Sequence, residues 1–193
     1  HLIMSFIMGL TTGATVLIGQ YFGARDEQNT RRSIGMTLSF SALIGAAMTL
    51  VMVPFCPLLT RLLNVPAEAV PETLDYMRIC AWGTFFIVGY NALSAIFRGF
   101  GNSTAPLIFV GIACGVNVAA DLLLVAWLGL GPAGAAWATV VSQALSMIFA
   151  LVCLRRGDFG FRFGLQNFRI DWLLAWRYLK IGMPIAVQGV LIS

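Results

Sequence analysis

The sequence predicts an all-α membrane protein, a polytopic bundle of transmembrane helices joined by short connectors. Hydrophobic residues make up 59% of the 193 residues and charged residues only 10%, whereas ordinary globular domains carry about 25% charged residues. Apolar runs of about 20 residues recur along the chain, and a helix of that length crosses the hydrocarbon core of a bilayer. We therefore expect a multi-pass protein of the cell inner (plasma) membrane, with the lipid bilayer as its main partner.

Five segments are apolar and long enough to span the membrane: residues 2–22, 34–59, 76–97, 105–130 and 135–154. Residues 172–193 are predicted to form an amphipathic helix that leads into a sixth, truncated span. Both ends of the sequence lie inside apolar runs, so we expect the chain to be an internal piece of a longer protein. The fold class predicted is thus a partial bundle of about five full spans and a truncated sixth.

Proline and glycine positions predict where the spans bend or end. Pro54 and Pro57 should bend or finish the second span, and Pro71 followed by Glu72 predicts the start of the third. Residues 129–134 match G-x-G-x-x-G by letter, but no strand precedes them, so a turn between two membrane helices is favoured over a nucleotide site. In the first span, Gly13 belongs to a series of glycines at four-residue spacing that allows close helix approach.

The basic residues predict the orientation of the chain. All but two of the twelve Lys and Arg residues fall at the connectors near positions 26, 98 and 155 or within residues 172–180. The positive-inside rule places these regions in the cytoplasm. In residues 155–171 bases alternate with phenylalanines, which beside a membrane span indicates an interfacial segment, and we expect no nucleic-acid partner.

Asp121 is the carboxylate that lies inside a predicted span rather than in a connector or at a span end. An ionisable side chain at that depth is costly, and such residues usually handle an ion, a proton or a substrate. Asn117 lies four residues earlier and so projects from the same face of the helix. The alternative is structural, with a protonated Asp121 that hydrogen-bonds neighbouring helices.

A cation site needs several oxygen atoms around one negative charge. Asp121, Asn117 and Thr139 supply these if the fourth and fifth spans pack side by side. Asp121 alone is also suited to binding a proton, because burial disfavours the charged form of a carboxyl group. Both alternatives describe a secondary transporter that uses Na⁺ or H⁺ as coupling ion, with no other cofactor and no metal beyond Na⁺ at Asp121.

Other polar residues within spans are candidates for the lining of a substrate cavity, namely Asn91, Ser94 and Ser142. Ser142 belongs to a stripe of small and hydroxyl residues on the fifth span, a pattern that is also typical of helix packing. The spans contain no histidine, no paired acids and no nucleophile beside a base, so we do not expect an enzyme.

Several motifs together resemble the multidrug and toxic compound extrusion (MATE) family. They cover nearly the whole chain in the family's order: residues 13–25, residues 98–103 before Pro106, Asn117 with Asp121, residues 134–136 with Thr139, and residues 180–184. The resemblance implies a partial MATE-like fold, in which two six-helix lobes enclose a cavity and alternate between inward- and outward-facing forms. Residues 1–154 then correspond to helices two to six of the N-terminal lobe with helix one missing, 155–171 to the cytoplasmic linker, and 172–193 to the start of the C-terminal lobe.

The resemblance also implies a function and a site. The family's N-lobe cation site matches Asn117, Asp121 and Thr139, while its aspartate on helix one is not in this sequence. The implied activity is efflux of small amphipathic or cationic compounds in exchange for Na⁺ or H⁺. Two alternatives remain: a lipid-linked saccharide flippase of the same superfamily, for which a more cationic cavity is expected, and a non-transporting membrane scaffold subunit.

Overall fold

The computed structural model describes residues 2–157 and 172–192, and the regular structure of these residues is entirely helical. The α-helices are α1 (Leu2–Gly23), α2 (Glu27–Leu62), α3 (Val70–Gly99), α4 (Thr104–Asp121), α5 (Gly131–Arg156) and α6 (Trp172–Ile192). A π-helix, Leu122–Trp127, follows α4 directly. The predicted all-α fold class is confirmed. Most of the predicted linker, residues 158–171, lies outside the described residues.

Four helical segments are long and apolar enough to cross a membrane: α2, α3, α5, and α4 together with the π-helix. Their outer surfaces expose large apolar side chains, among them Leu50, Leu107 and Trp127. Such a surface suits a bilayer, where apolar groups face lipid and every backbone polar group is satisfied within the helix. The chain is therefore polytopic, and membrane crossing by α1 and α6 stays a prediction.

The helix α2 extends beyond the predicted span at both ends. It begins at Glu27 because Asp26 caps it: the Oδ1 atom of Asp26 accepts a hydrogen bond from the backbone N–H of Asn29 at 3.1 Å. Pro54 and Pro57 lie inside the helix, which continues to Leu62. Residues 27–32, which lie between the first two predicted spans, are therefore helical; of the two alternatives for Pro54 and Pro57, a helix end is wrong and a bend stays a prediction.

Two helix starts depend on proline. Pro71 lies in the first turn of α3, which confirms the predicted start of that helix. Pro132 likewise lies in the first turn of α5, so this helix begins at Gly131, earlier than predicted. The turn before α5 is correspondingly short, and Gly129 and Gly131 have φ values of +65° and +54°, a region that residues with a Cβ atom rarely adopt.

The helices pack around α3, which contacts α1, α2 and α5, while α4 pairs with α5 and α6 lies against α1. One buried cluster joins α1, α2, α3 and α6 through Ala14, Leu17, Met36, Ala95, Leu174, Ala175 and Tyr178. A second buried cluster joins all five helices α1, α2, α3, α4 and α5. Its members are Ile18, Ile34, Leu93, Ile96, Phe97, Phe109, Ala150 and Leu154. The residues of both clusters lie in the parts of the helices that are nearest to residues 24–26, 100–103 and 157. Both clusters therefore lie toward the end of the bundle that the basic residues predict to be cytoplasmic, whereas the buried Cys56, Ala81 and Ala136 lie toward the other end.

The contact between α1 and α6 depends on close backbone approach at Gly13. A Cβ atom on Gly13 would lie 2.9 Å from the carbonyl oxygen of Tyr178 and 3.0 Å from the backbone nitrogen of Gly182. At the same interface the Nη1 atom of Arg177 donates a hydrogen bond to the hydroxyl of Tyr21 at 2.8 Å. The prediction of close helix approach is thus confirmed at Gly13.

Candidate functional site

The structure brings Asn117 and Thr139 together. They lie on α4 and α5, which pack side by side, and the Nδ2 atom of Asn117 donates to the Oγ1 atom of Thr139 at 3.4 Å. The hydroxyl of Thr139 in turn donates to the carbonyl oxygen of Ala135 at 3.0 Å. Because the amide nitrogen of Asn117 faces Thr139, its carbonyl oxygen remains as an acceptor for another group.

Asp121 lies one helical turn from Asn117 on the same face of α4. It is the last residue of α4, directly before the π-helix, in which the N–H of Leu128 bonds to the carbonyl oxygen of Leu123. The Oδ1 atom of Asp121 is shielded from solvent and accepts no hydrogen bond from the described part of the chain. Helices with this wider turn occur frequently at functional sites, and an unpaired buried carboxylate oxygen is suited to binding a cation.

A cavity of about 230 Å³ lies between α3, α4 and α5. Its polar lining comes from six residues, Tyr90, Cys114, Asn117, Thr139, Ser142 and Gln143, while Val110 and Ala113 contribute apolar surface. Asp121 lies outside this lining, one turn beyond Asn117. The predicted site residues therefore form a polar row, with Asp121 at one end and the cavity beside Asn117 and Thr139.

Hydrogen bonds within the cavity wall engage several of its donors. The hydroxyl of Ser142 donates to the carbonyl oxygen of Thr139 at 2.8 Å, and that of Tyr90 donates to the carbonyl oxygen of Pro106 at 3.4 Å. In contrast, the Oε1 atom of Gln143 is shielded from solvent and accepts no hydrogen bond from the described residues. The hydroxyl donors of Ser142 and Tyr90 are thus bonded to the protein, while the side-chain amide of Gln143 has no hydrogen-bond partner among the described residues.

Two predicted cavity-lining residues lie elsewhere on α3. The Nδ2 atom of Asn91 donates to the carbonyl oxygen of Ile87 at 2.8 Å, and Ser94 is buried, with 2% of its surface exposed. Neither lines the cavity between α3, α4 and α5, so their role in a larger cavity stays a prediction.

Tyr90 and Gln143 line the cavity but were not predicted as site residues. The available signal for Gln143 was its position four residues after Thr139, on the same face of the helix. No signal in the sequence distinguished Tyr90 from the neighbouring Asn91, because the face of α3 that meets α4 and α5 depends on tertiary packing.

Comparison with known proteins identifies relatives of the whole chain. The probable multidrug resistance protein YoeA of Bacillus subtilis is 28% identical over 199 residues, which cover 100% of this chain and 43% of YoeA. A solved MATE family transporter of the MOP superfamily, in an inward-facing conformation, has a TM-score of 0.89 at 27% identity and matches 98% of this chain and 43% of its own.

A third similar protein is a MOP superfamily transporter from Pyrococcus furiosus, with a TM-score of 0.88 at 27% identity. Its structure is described as having a binding pocket of reversed polarity that suggests a different function, and the match covers 98% of this chain and 42% of that one. The chain thus spans a little over two fifths of the length of each of these relatives.

The family assignment follows from the match to a family model together with the fold. The MatE model matches residues 1–123, more than half of the chain, including Asn117 and Asp121. The structure that carries these motifs superimposes over 98% of its length on a solved MATE transporter. The chain therefore belongs to the MATE family of multidrug and toxic compound extrusion proteins.

Proposed function

We propose that this chain is part of a secondary active multidrug efflux transporter that exchanges Na⁺ or H⁺ for small amphipathic or cationic compounds by alternating access. Members of the MATE family are transporters and not enzymes, and the relative YoeA is named as a probable multidrug resistance protein. Because the chain spans about 43% of that relative, we assign the activity to the full-length protein. In it, residues 1–154 contribute helices two to six of the N-terminal lobe, 155–171 the cytoplasmic linker and 172–193 the start of the C-terminal lobe. We place the protein in the cell inner membrane.

The observation that carries this proposal is the arrangement of Asp121, Asn117 and Thr139. Asn117 contacts Thr139 across the α4–α5 interface, and the Oδ1 atom of Asp121 lies one turn away without a hydrogen-bond partner among the described residues. A dehydrated Na⁺ ion recovers its lost water contacts from carboxylate, amide and hydroxyl oxygens, and a proton neutralises the carboxylate directly. Either cation provides a partner for the shielded Oδ1 atom of Asp121.

Coupling follows if cation and substrate favour different conformations. A ligand shifts a conformational equilibrium only by the difference in its affinity for the two states, and such coupling is reciprocal. Occupation of Asp121 by a cation stabilises the conformation in which its oxygen atoms are enclosed. Substrate binding in the opposite conformation then promotes release of the cation.

The test is dye efflux from cells that express the full-length protein, comparing the wild type with Asp121→Asn at equal abundance in the membrane. We expect Asp121→Asn to abolish coupled efflux, because the amide carries no charge for a cation to neutralise. Asp75→Asn is the matched control, since Asp75 is an exposed carboxylate near the start of α3. Collapse of the Na⁺ and H⁺ gradients separately, in cells with the wild type, identifies the coupling ion.

The same experiment tests the scaffold alternative. A scaffold in which Asp121 only joins helices predicts loss of protein from the membrane, and normal efflux by Asp121→Asn at equal abundance would contradict the coupling role. The unpaired Oδ1 atom does not support the scaffold function, because a carboxyl that joins helices needs a partner. A saccharide flippase is disfavoured because, among the described residues, no Lys or Arg lines the cavity between α3, α4 and α5.

A further inference from the structure

A second cavity, of about 270 Å³, lies between α1, α2 and α3, and four sulfur-containing side chains line it. Two are the thiols of Cys56 and Cys80, and two are the thioethers of Met52 and Met77. Both cysteines are free, with no disulfide between them. None of the four residues lines the cavity beside Asn117, so this sulfur-lined cavity is separate from the candidate cation site.

The four sulfur side chains come in two pairs on adjacent helices. Met52 and Cys56 are four residues apart and so lie on one face of α2. Met77 and Cys80 are three residues apart and so lie on one face of α3. Because both faces line the same cavity, each helix contributes one thiol and one thioether to it.

Contacts between α2 and α3 fix the register of the two pairs. The Oγ1 atom of Thr49 on α2 donates a hydrogen bond to the carbonyl oxygen of Ala81 on α3 at 3.2 Å. A Cβ atom on Gly45 would lie 3.2 Å from the ring of Phe85. Residue numbers rise along α2 as they fall along α3 at these contacts, so the two helices run antiparallel. One turn beyond Thr49, Met52 therefore lies beside the turn of α3 that precedes Ala81, which holds the other pair.

The ligand types select a soft metal ion. Thiolate and thioether groups are the soft ligands that bind Cu(I). Zn²⁺ is held instead by Cys, His, Asp or Glu, and no group of three or more such residues occurs in the described part of the chain. Mg²⁺ and Ca²⁺ require oxygen ligands, and no carboxylate is present among the described residues that line this cavity.

Charge balance favours a monovalent ion. A buried charge is costly unless it is compensated, and none of the described lining residues is Asp, Glu, Lys, Arg or His. When Cu(I) binds, one thiol releases its proton to water, because the thiolate is the metal ligand. One positive ion, one thiolate, one thiol and two thioethers then form a neutral site. The thiol of Cys56 donates to the carbonyl oxygen of Met52 at 3.3 Å, a weak bond that costs little to give up.

We propose that Met52, Cys56, Met77 and Cys80 form a binding site for a soft monovalent metal ion of the Cu(I) class, which joins α2 to α3. The proposal does not depend on the efflux function, and it adds a second kind of ion to the Na⁺ or H⁺ expected at Asp121. Methionine side chains have three rotatable bonds, so the two thioethers adjust to an ion held by the cysteines. Since the ion binds the folded protein, it should raise the Tm.

The experiment measures binding of Cu(I), kept reduced by ascorbate, to the purified full-length protein in detergent, in competition with the chromogenic chelator bicinchoninate. Loss of an outer-shell partner already weakens metal binding by about 10–100-fold. Loss of a ligand, in Cys56→Ser or Cys80→Ser, should therefore weaken Cu(I) binding by at least about ten-fold. Cys153→Ser is the matched control and should leave the affinity unchanged, because Cys153 is a half-buried free thiol on α5, outside this cavity.

Two further measurements separate loss of the metal from loss of the fold. Met52→Leu and Met77→Leu conserve side-chain volume, a change that packed cores tolerate best, and each should weaken Cu(I) binding by about ten-fold, the lower end of that range. Cu(I) should also raise the Tm of the wild type but not that of Cys80→Ser. Failure of the wild type to bind Cu(I), equally tight binding of Zn²⁺, unchanged affinity in the methionine variants, or an equal loss in Cys153→Ser would each overturn the proposal.

Discussion

Replacing Gly13 by alanine should separate α1 from α6 and destabilise the protein. A Cβ atom at this position would meet only backbone atoms: the carbonyl oxygen of Tyr178 at 2.9 Å, and the nitrogen and Cα of Gly182 at 3.0 and 3.1 Å. Ordinary van der Waals contact begins at 3.4 Å, so α6 must move away by about half an ångström. Backbone atoms cannot change rotamer to avoid the clash.

The cost follows from the buried cluster beside Gly13. Tyr178, only 1% exposed, packs with Ala14, Leu17 and Met36, and a gap of about 0.5–1 Å forfeits a quarter to a half of each van der Waals contact. Overpacking of a well-packed core typically costs about 1–3 kcal/mol. Alanine is favoured over glycine inside a helix by up to about 1 kcal/mol. Subtracting that gain leaves an expected net loss of up to about 2 kcal/mol.

The assay is thermal unfolding of the purified full-length protein in detergent, followed by loss of monodisperse protein. The Tm shift per kcal/mol falls as a protein becomes larger, from about 2–4 °C at 150–250 residues, so Gly13→Ala should lower the Tm of the full-length protein by at most roughly 8 °C. Gly23→Ala is the matched control on the same helix, because no neighbouring atom lies within 4 Å of its Cβ position. A Tm for Gly13→Ala equal to or above that of Gly23→Ala would refute the reasoning.

Two further predictions concern single hydrogen bonds. Ser146 is fully buried, and its hydroxyl donates to the carbonyl oxygen of Phe109 on α4 at 3.0 Å. Ser146→Ala should lower the free energy of unfolding by about 0.6 kcal/mol, the average for interhelical hydrogen bonds in a membrane protein. Ser142→Ala, which removes a bond within α5, should cost less in the same thermal assay, and the reverse order would contradict the assignment. Hydrogen bonds from the backbone and side chain of Asn29 lower the pKa of Asp26 below 3.8. The ionised carboxylate of Asp26 therefore stabilises the start of α2 above that pH. This stabilisation is lost as the pH falls through the lowered pKa. Hydrogen-exchange protection of the Asn29 amide should fall as the pH drops below 3.8 in the wild type but not in Asp26→Asn, which retains a cap that does not titrate. Identical pH profiles would exclude the carboxylate as the cause.

The fold class and the helix order followed from the sequence because hydrophobicity and length are local properties. Pro71 marked the start of α3 correctly, since a proline in the first helical turn loses no hydrogen bond. The helix α2 was predicted too short because its charged first turns were taken for a connector. A helix capped by Asp26 tolerates polar residues outside the bilayer, and Pro54 and Pro57 are accommodated at exposed positions within it.

The candidate site was predicted in part. Asn117 and Thr139 were expected to meet if the fourth and fifth spans packed side by side. The short turn between these spans favours that packing, and the structure shows the contact. The contribution of Tyr90 and the unpaired oxygen of Gln143 depend on how α3 is rotated against α4 and α5. That rotation is set by long-range packing. The sequence of a uniformly apolar span gives little information about which of its faces packs against another helix.

The π-helix after Asp121 has a consequence for how related sequences are compared. A turn closed by a bond from residue i+5 to residue i, as between Leu128 and Leu123, holds one residue more than an α-helical turn. A relative with an unbroken α-helix here would lack one residue between 122 and 127, yet would keep the counterparts of Asn117 and Thr139 in contact. A single-residue gap in this segment of an alignment would then record a change of helical winding, and residues on its two sides should be aligned separately.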